Sequence, residues 1–78
     1  MGTITTLRSL REKTGRLQID VAEDLGIDHS TLSGYELGIR SPSPEMLVKM
    51  AEVYGVEYKE VFLAYLGTKR EAEAENEH

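Results

Sequence analysis

Five glycines divide the chain into short segments, and this punctuation limits the possible folds more than any other feature of the sequence. They are Gly15, Gly26, Gly38, Gly55 and Gly67. Each follows a stretch whose apolar residues recur at helical spacing, and glycine readily ends a helix because it adopts the left-handed conformation without steric cost. No stretch alternates apolar and polar residues long enough for a strand. The sequence therefore predicts an all-α fold, a compact bundle of five short helices.

Local signals set the expected bounds of these helices. The first should run from about Ile4 to Thr14, with Thr3 as a candidate N-cap, and the second from Gln18 to Leu25. Asp28 and Ser43 are good N-cap residues for the third and fourth helices, and Pro44 suits the first position of the fourth. The fifth should cover about Tyr58 to Leu66. Its expected inward residues are Tyr58, Val61, Phe62, Tyr65 and Leu66.

Size and charge narrow the class of protein. The chain has 78 residues, enough for one domain, and carries 9 basic against 14 acidic residues. A net charge of −5 argues against unselective binding to nucleic acid or membrane, which needs a basic footprint. Four of the acidic residues lie within the last eight positions, however. We therefore expect a folded domain over residues 1–67 and an acidic, flexible tail over residues 68–78.

Several site chemistries find no support in the residues. The sequence has no cysteine, which excludes disulfides and thiolate metal sites, and its two histidines, His29 and His78, are far apart. No apolar run approaches the roughly 18 residues of a membrane helix. Asp28, His29 and Ser30 have the composition of a catalytic relay, but neighbouring helical positions diverge by about 100° and cannot align as one. We expect no enzymatic activity, no metal, no cofactor, no membrane contact and a cytoplasmic location.

Residues 18–37 carry the most specific pattern, QIDVAEDLGIDHSTLSGYEL. A small residue, Ala22, stands four positions after Gln18, and Gly26 follows four positions later at a turn. Apolar residues fill the places that two steeply crossing helices bury against each other, among them Ile27 and Leu32. Seven such matches in register indicate a helix-turn-helix formed by the second and third helices.

The chain resembles the phage-repressor/Cro-like helix-turn-helix family of transcriptional regulators over about residues 7–61. The most specific matches are the Gln-x-x-x-Ala-x-x-x-Gly spacing, the Ser-Thr-x-Ser start of the third helix, and Glu36-x-Gly38 followed by Arg40, Pro42 and Ser43. The resemblance implies a lambda-repressor-like domain whose third helix enters the major groove of double-stranded DNA. It also implies a repressor that binds a pseudo-palindromic operator as a homodimer.

The resemblance assigns roles to individual residues. Those expected to contact DNA are Gln18, His29, Ser30, Thr31, Ser33, Gly34, Gly38 (through its N–H), Arg40 and Arg16. Arg40 is the expected phosphate ligand in the loop after the third helix, whereas His29 and Ser30 lie where base edges are read. Arg11 and Glu36 are expected to form a partly buried structural ion pair instead. Leu17 stands where relatives carry a capping Thr or Ser, and leucine cannot cap.

Two questions stay open at this stage. Gly34 stands where many relatives carry a long polar side chain, so that either the backbone approaches DNA closely or a contact is lost. Leu63, Ala64 and Leu66 broaden the apolar face of the fifth helix, which suits a homodimer contact, a protein partner or packing against the first helix. The alternative function is accordingly a protein-binding module on the same scaffold, of the antirepressor or antitoxin kind.

Overall fold

The structure, a computed structural model, describes residues 4–76 and contains five α-helices. They are α1 (Leu7–Lys13), α2 (Gln18–Leu25), α3 (His29–Leu37), α4 (Pro44–Tyr54) and α5 (Tyr58–Asn76). No strand occurs within this range. The all-α class predicted from the glycine punctuation is confirmed.

One hydrophobic core holds the five helices together. Its largest fully buried side chains are Leu7, Val21, Leu32, Met50 and Val61, one from each helix. Because every helix buries apolar surface against the others, none is expected to keep its position alone.

The helices with strong local signals have the predicted bounds. Ser43 caps α4, since its hydroxyl accepts a hydrogen bond from the N–H of Met46 at 3.1 Å. Gly55 ends α4 in the left-handed conformation, with φ 71°. Helical spacing of the apolar residues predicts which side chains of α2 and α4 face inward, and these are buried. They are Val21, Ala22, Leu25, Leu47, Met50, Ala51 and Tyr54.

Helix α1 begins later than predicted. The Thr6 hydroxyl accepts from the N–H of Ser9 at 3.1 Å, and the N–H of Thr6 donates to Ser9 Oγ at 2.8 Å. This reciprocal capping box starts the helix at Leu7. Ile4 therefore precedes the helix and is exposed. Helical spacing places Ile4 on one face with Leu7 and Leu10 and so predicts that it packs inward, which is wrong. The candidate cap Thr3 lies outside the described residues.

Helix α5 continues ten residues beyond the predicted end at Leu66, through the segment expected to be a flexible tail. Thr68 is buried, its hydroxyl accepting from the N–H of Leu7 at 2.9 Å and donating to the Ala64 carbonyl at 3.1 Å. Gly67 is not a helix stop: it lies inside α5 against the Thr5 carbonyl, with no room for a Cβ atom. The expected domain boundary at residue 67 is therefore wrong. Small and polar residues hold the extension in place, although it carries no large apolar residue.

The buried face of α5 also differs from the prediction. Val61, Ala64 and Thr68 are buried, whereas Phe62 is exposed. Tyr58 and Leu66 are likewise exposed instead of packing inward. The helix turns its small residues toward the N-terminal segment because only they permit this close approach.

Candidate nucleic-acid interface

Helices α2 and α3 cross at a tight turn. Gly26 has φ 72°, and the N–H of Ile27 donates to the Ala22 carbonyl at 3.0 Å. Ala22 and Leu32 are buried where the two helices meet. The predicted helix-turn-helix is present with the predicted register.

The outward side of α3 carries short polar side chains. Leu32 is fully buried and marks the inward side, so Ser30 and Gly34, two positions away on either hand, project away from the core. His29 and Ser30 are exposed, and Thr31 and Ser33 are half-buried at the edges of this surface. Five residues predicted to contact DNA, Gly34 among them, thus lie together on one helix.

Three helices meet at the carboxylate of Glu36. Arg11 of α1 forms a bidentate ion pair with it, with nitrogen–oxygen distances of 2.6 and 3.1 Å. Gln18 of α2 donates its Nε2 to the same carboxylate at 2.9 Å. Only 3% of the Glu36 side chain and 11% of the Arg11 side chain are exposed. The ion pair expected between Arg11 and Glu36 is present. The hydrogen bond from Arg11 to Glu36 raises the pKa of Arg11 above its ordinary value.

Glu36 also orients Gln18. An ionised carboxylate accepts hydrogen bonds and cannot donate them, so the amide of Gln18 must turn its nitrogen toward Glu36. The second N–H and the oxygen of this half-buried amide remain for another partner. Glu36 therefore links the core ion pair to the side chain at the start of α2.

Tyr54 lies beside this cluster. Its hydroxyl is buried without a hydrogen-bond partner among the described residues. Burial, and next the negative charge of Glu36, raise the pKa of Tyr54 to about 12. The sequence marked Tyr54 only as a core residue, because its proximity to Arg11 and Glu36 depends on how the helices pack in the bundle.

Neither α2 nor α3 is capped by a side chain. Leu17 precedes α2 without a capping hydrogen bond, as its side chain requires. Asp28 occupies the N-cap position of α3, but its carboxylate makes no capping hydrogen bond, so the predicted capping role is wrong. Both helices present backbone N–H groups at their first turns that no side chain has taken, and such groups favour anions.

The surroundings of Gly34 show what occupies the space of its missing side chain. A Cβ atom at Gly34 would lie 3.0 Å from both Cγ and Cδ of Arg40. Gly34 is buried although it projects away from the core, because the stem of Arg40 covers it. Arg40 thus lies against α3 itself.

Two other predicted DNA ligands are engaged within the chain. Arg16 pairs with Asp24 and donates to the Val53 carbonyl at 3.1 Å, which links α2 to the end of α4. The N–H of Gly38 donates to the Tyr35 carbonyl at 3.2 Å as part of the C-cap of α3. The N–H of Gly38 is therefore not free to meet a phosphate, and the Arg16 guanidinium already makes two hydrogen bonds within the chain.

The acidic extension of α5 reaches the edge of this surface. Glu71 and Glu75 line a groove of about 430 Å³ together with Gln18 and Ser33. Gly38 holds the extension close, since a Cβ atom there would lie 2.6 Å from the Ala72 Cβ. Sequence reasoning missed this juxtaposition because it treated the extension as a free tail.

The expected partner surface on α5 is only partly exposed. Leu63 is 55% exposed and Leu66 is 42% exposed. Ala64 is 0% exposed and belongs to the core, so its place in that surface is wrong. Leu63 and Leu66 instead line a groove of about 710 Å³ with Ile4.

The described residues contain no cluster of three or more side chains able to hold a metal ion. His78 lies outside them. None of the described helices is both long and apolar enough to cross a membrane.

The fold and this surface define the class of protein. Residues 7–61 match the HTH_3 helix-turn-helix family, and the chain belongs to that family. The chain is 38% identical over 50 residues to the HTH-type transcriptional regulator ImmR of Bacillus subtilis (strain 168). The matched region covers 64% of this chain and 39% of ImmR. The chain is also 36% identical over 55 residues to the cryptic phage CTXphi transcriptional repressor RstR of Vibrio cholerae. That matched region covers 70% of this chain and 50% of RstR.

The matched regions thus span half or less of the length of these two relatives. No solved structure matches the chain significantly.

Proposed function

We propose that this chain binds double-stranded DNA sequence-specifically as a transcriptional regulator, and that it acts as a repressor. One observation carries the proposal: the outward side of α3 presents short polar side chains and is tied to α2 and α1 through Glu36. A helix held in this way can enter the major groove without rearranging. Family membership and the regulatory names of the two relatives support the same function.

The contacts are of three kinds. His29 and Ser30, in the first turn of α3, meet base edges, while Thr31 and Ser33 line the groove wall. Gln18 meets a phosphate through its remaining amide N–H and the uncapped N-terminus of α2. Gly38 shapes the loop after α3, and Arg16 contributes only if it leaves Asp24.

Charge limits the affinity of this interface. Arg11 and Arg16 are bound within the chain, and Glu71 and Glu75 lie near the surface. Log K should fall with log salt at about −0.9 for each phosphate that a cationic side chain neutralises. We therefore expect modest affinity that depends on a few well-placed contacts.

A homodimer would bring two copies of α3 to one operator. Leu63 and Leu66 are the residues on which we base the contact, since they are apolar, exposed and adjacent to the groove beside Ile4. A two-fold dimer would bind half-sites about one helical turn, roughly 34 Å, apart. The same surface is the basis for the alternative function, binding of a different protein.

Titration with a random-sequence duplex at about 20 mM and about 150 mM salt tests the proposal. Binding at low salt that weakens steeply at higher salt is the expected result. Ser30→Asp should abolish binding because it places a carboxylate on the outward side of α3. Val48→Asp, an equal charge change on the exposed side of α4, should have little effect. Absence of wild-type binding even at low salt would leave the protein-binding alternative.

A further inference from the structure

Arg40 occupies the space that the side chain of Gly34 would otherwise fill. Gly34 stands two residues after the fully buried Leu32, about 200° around the helix, and would be exposed if nothing covered it. A Cβ atom built on Gly34 would lie 3.0 Å from Arg40 Cγ, 3.0 Å from Cδ and 3.4 Å from Cβ. The whole stem of Arg40 therefore crosses the outward side of α3.

The backbone after α3 fixes this arrangement. Gly38 turns the chain with φ 78°, and the N–H groups of Ile39 and Arg40 both donate to the Gly34 carbonyl, at 2.9 and 3.1 Å. The backbone of Arg40 is thus tied to the residue that its side chain covers. The two backbone hydrogen bonds fix the position of Arg40, and the packing of its stem against Gly34 keeps the stem over the helix.

The guanidinium at the end of this stem is available. Arg40 takes part in none of the ion pairs within the described part of the chain. The residue is also exposed to solvent. Arg11 and Arg16 differ in this respect, since each is bound to a carboxylate. Arg40 therefore brings an uncompensated, planar donor fork to the side of α3 that carries Ser30.

We propose that Arg40 reads a base, a guanine in the major groove, from its position over Gly34, instead of serving as a phosphate ligand. The inference rests on the proposed DNA-binding function and names a specificity-determining residue for it. A guanidinium donates two parallel hydrogen bonds to guanine O6 and N7 from a rigid, planar fork, a geometry that the single flexible ammonium of lysine matches less well. Gly34 is then a positioning residue, because any side chain there would displace the Arg40 stem.

The test begins with selection of bound duplexes from a random pool by the full wild-type chain. We expect a guanine at one position of each half-site. Arg40→Ala should remove that preference. Relative to its affinity for the site with that base changed, its affinity for the selected site should fall about tenfold to a hundredfold. Arg40→Lys keeps the charge and loses the planar fork, so it should weaken the preference while binding random duplex nearly as wild type does.

Gly34→Ala tests the positioning separately. The added methyl faces only a flexible side chain, so the variant should fold, as circular dichroism would check. It should weaken the same guanine preference. If Gly34→Ala keeps that preference, the contact of the Arg40 stem with Gly34 does not position the Arg40 side chain.

Two results would overturn the inference, and they are distinguishable. Uniform loss across all sequences in Arg40→Ala, with the salt slope flatter by about 0.9 and restored by Arg40→Lys, would assign Arg40 to a phosphate. Failure of the wild-type chain to bind any duplex at low salt would remove the DNA-binding proposal and this inference together.

Discussion

Glu36 shows how a single side chain joins structure to the proposed function. Its carboxylate accepts from Arg11 on one side and from Gln18 on the other, so that three helices share one buried anion. A buried carboxylate is costly unless it is fully paired. The pairing therefore stabilises the fold and, in the same contacts, fixes the amide of Gln18 at the proposed interface.

Replacement of Arg11 by alanine should destabilise the domain by about 3–5 kcal/mol, because Glu36 would remain buried without its cation. Urea unfolding followed by circular dichroism measures the loss. Arg8→Ala is the matched control: it breaks the exposed pair with Glu12 and should cost at most about 1 kcal/mol. Equal effects of the two substitutions would contradict a structural role for the Arg11–Glu36 pair.

At the scale of the helix, α5 is defined by small residues in its middle and not by an apolar stripe. Gly67 lets the helix pass against the Thr5 carbonyl, and Thr68 supplies an acceptor for the N–H of Leu7. These contacts join the N-terminal segment to α5 and bring the acidic extension back over the end of α3.

Gly67→Ala should therefore destabilise the protein, although the same change in an unencumbered helix stabilises by up to about 1 kcal/mol. The new methyl would collide with the Thr5 carbonyl, and overpacking of this kind costs about 1–3 kcal/mol. Thermal unfolding should show a lower midpoint. Gly34→Ala, also within a helix but facing the movable Arg40 stem, should stay within about 1 kcal/mol of wild type. A Gly67→Ala variant as stable as wild type would rule out the close crossing.

The acidic extension of α5 should weaken DNA binding. Glu71 and Glu75 share a groove with Gln18 and Ser33, so a phosphate at that edge would meet two like charges. Changing both glutamates to glutamine should tighten binding about twofold to tenfold at low salt, with a smaller gain where salt screens the charges. Glu52→Gln with Glu60→Gln is the control of equal charge change. An equal gain in the control would point to net charge alone.

At the scale of the whole molecule, the proposed interface and the exposed apolar groove occupy different parts of the surface. The first is built from α2, α3 and the loop that holds Arg40, and the second from α5 and the segment around Ile4. Binding of DNA and contact with a second copy could therefore occur together, as a two-fold dimer on paired half-sites requires.

Leu63→Glu should reduce self-association and weaken binding to paired half-sites while leaving binding to one half-site nearly unchanged. Leu63 is exposed, so the fold should not suffer. Analytical ultracentrifugation and titration with the two duplexes measure these effects, with Val48→Glu as an exposed apolar control on α4. If Leu63→Glu associates as wild type does, the dimer contact lies elsewhere.

The sequence alone determined the local parts of this protein. The bounds of α2 and α4, the turn at Gly26 and the register of the helix-turn-helix follow from caps, glycines and apolar spacing, which act over a few neighbouring residues. Tertiary packing decided which distant segments meet. It laid Arg40 over Gly34, used Arg16 to join α2 to α4, and buried Thr68 against Leu7. It also turned the predicted acidic tail into a helix beside Gln18, because burial and hydrogen bonding between remote residues outweigh the local pattern that suggested an end at Leu66.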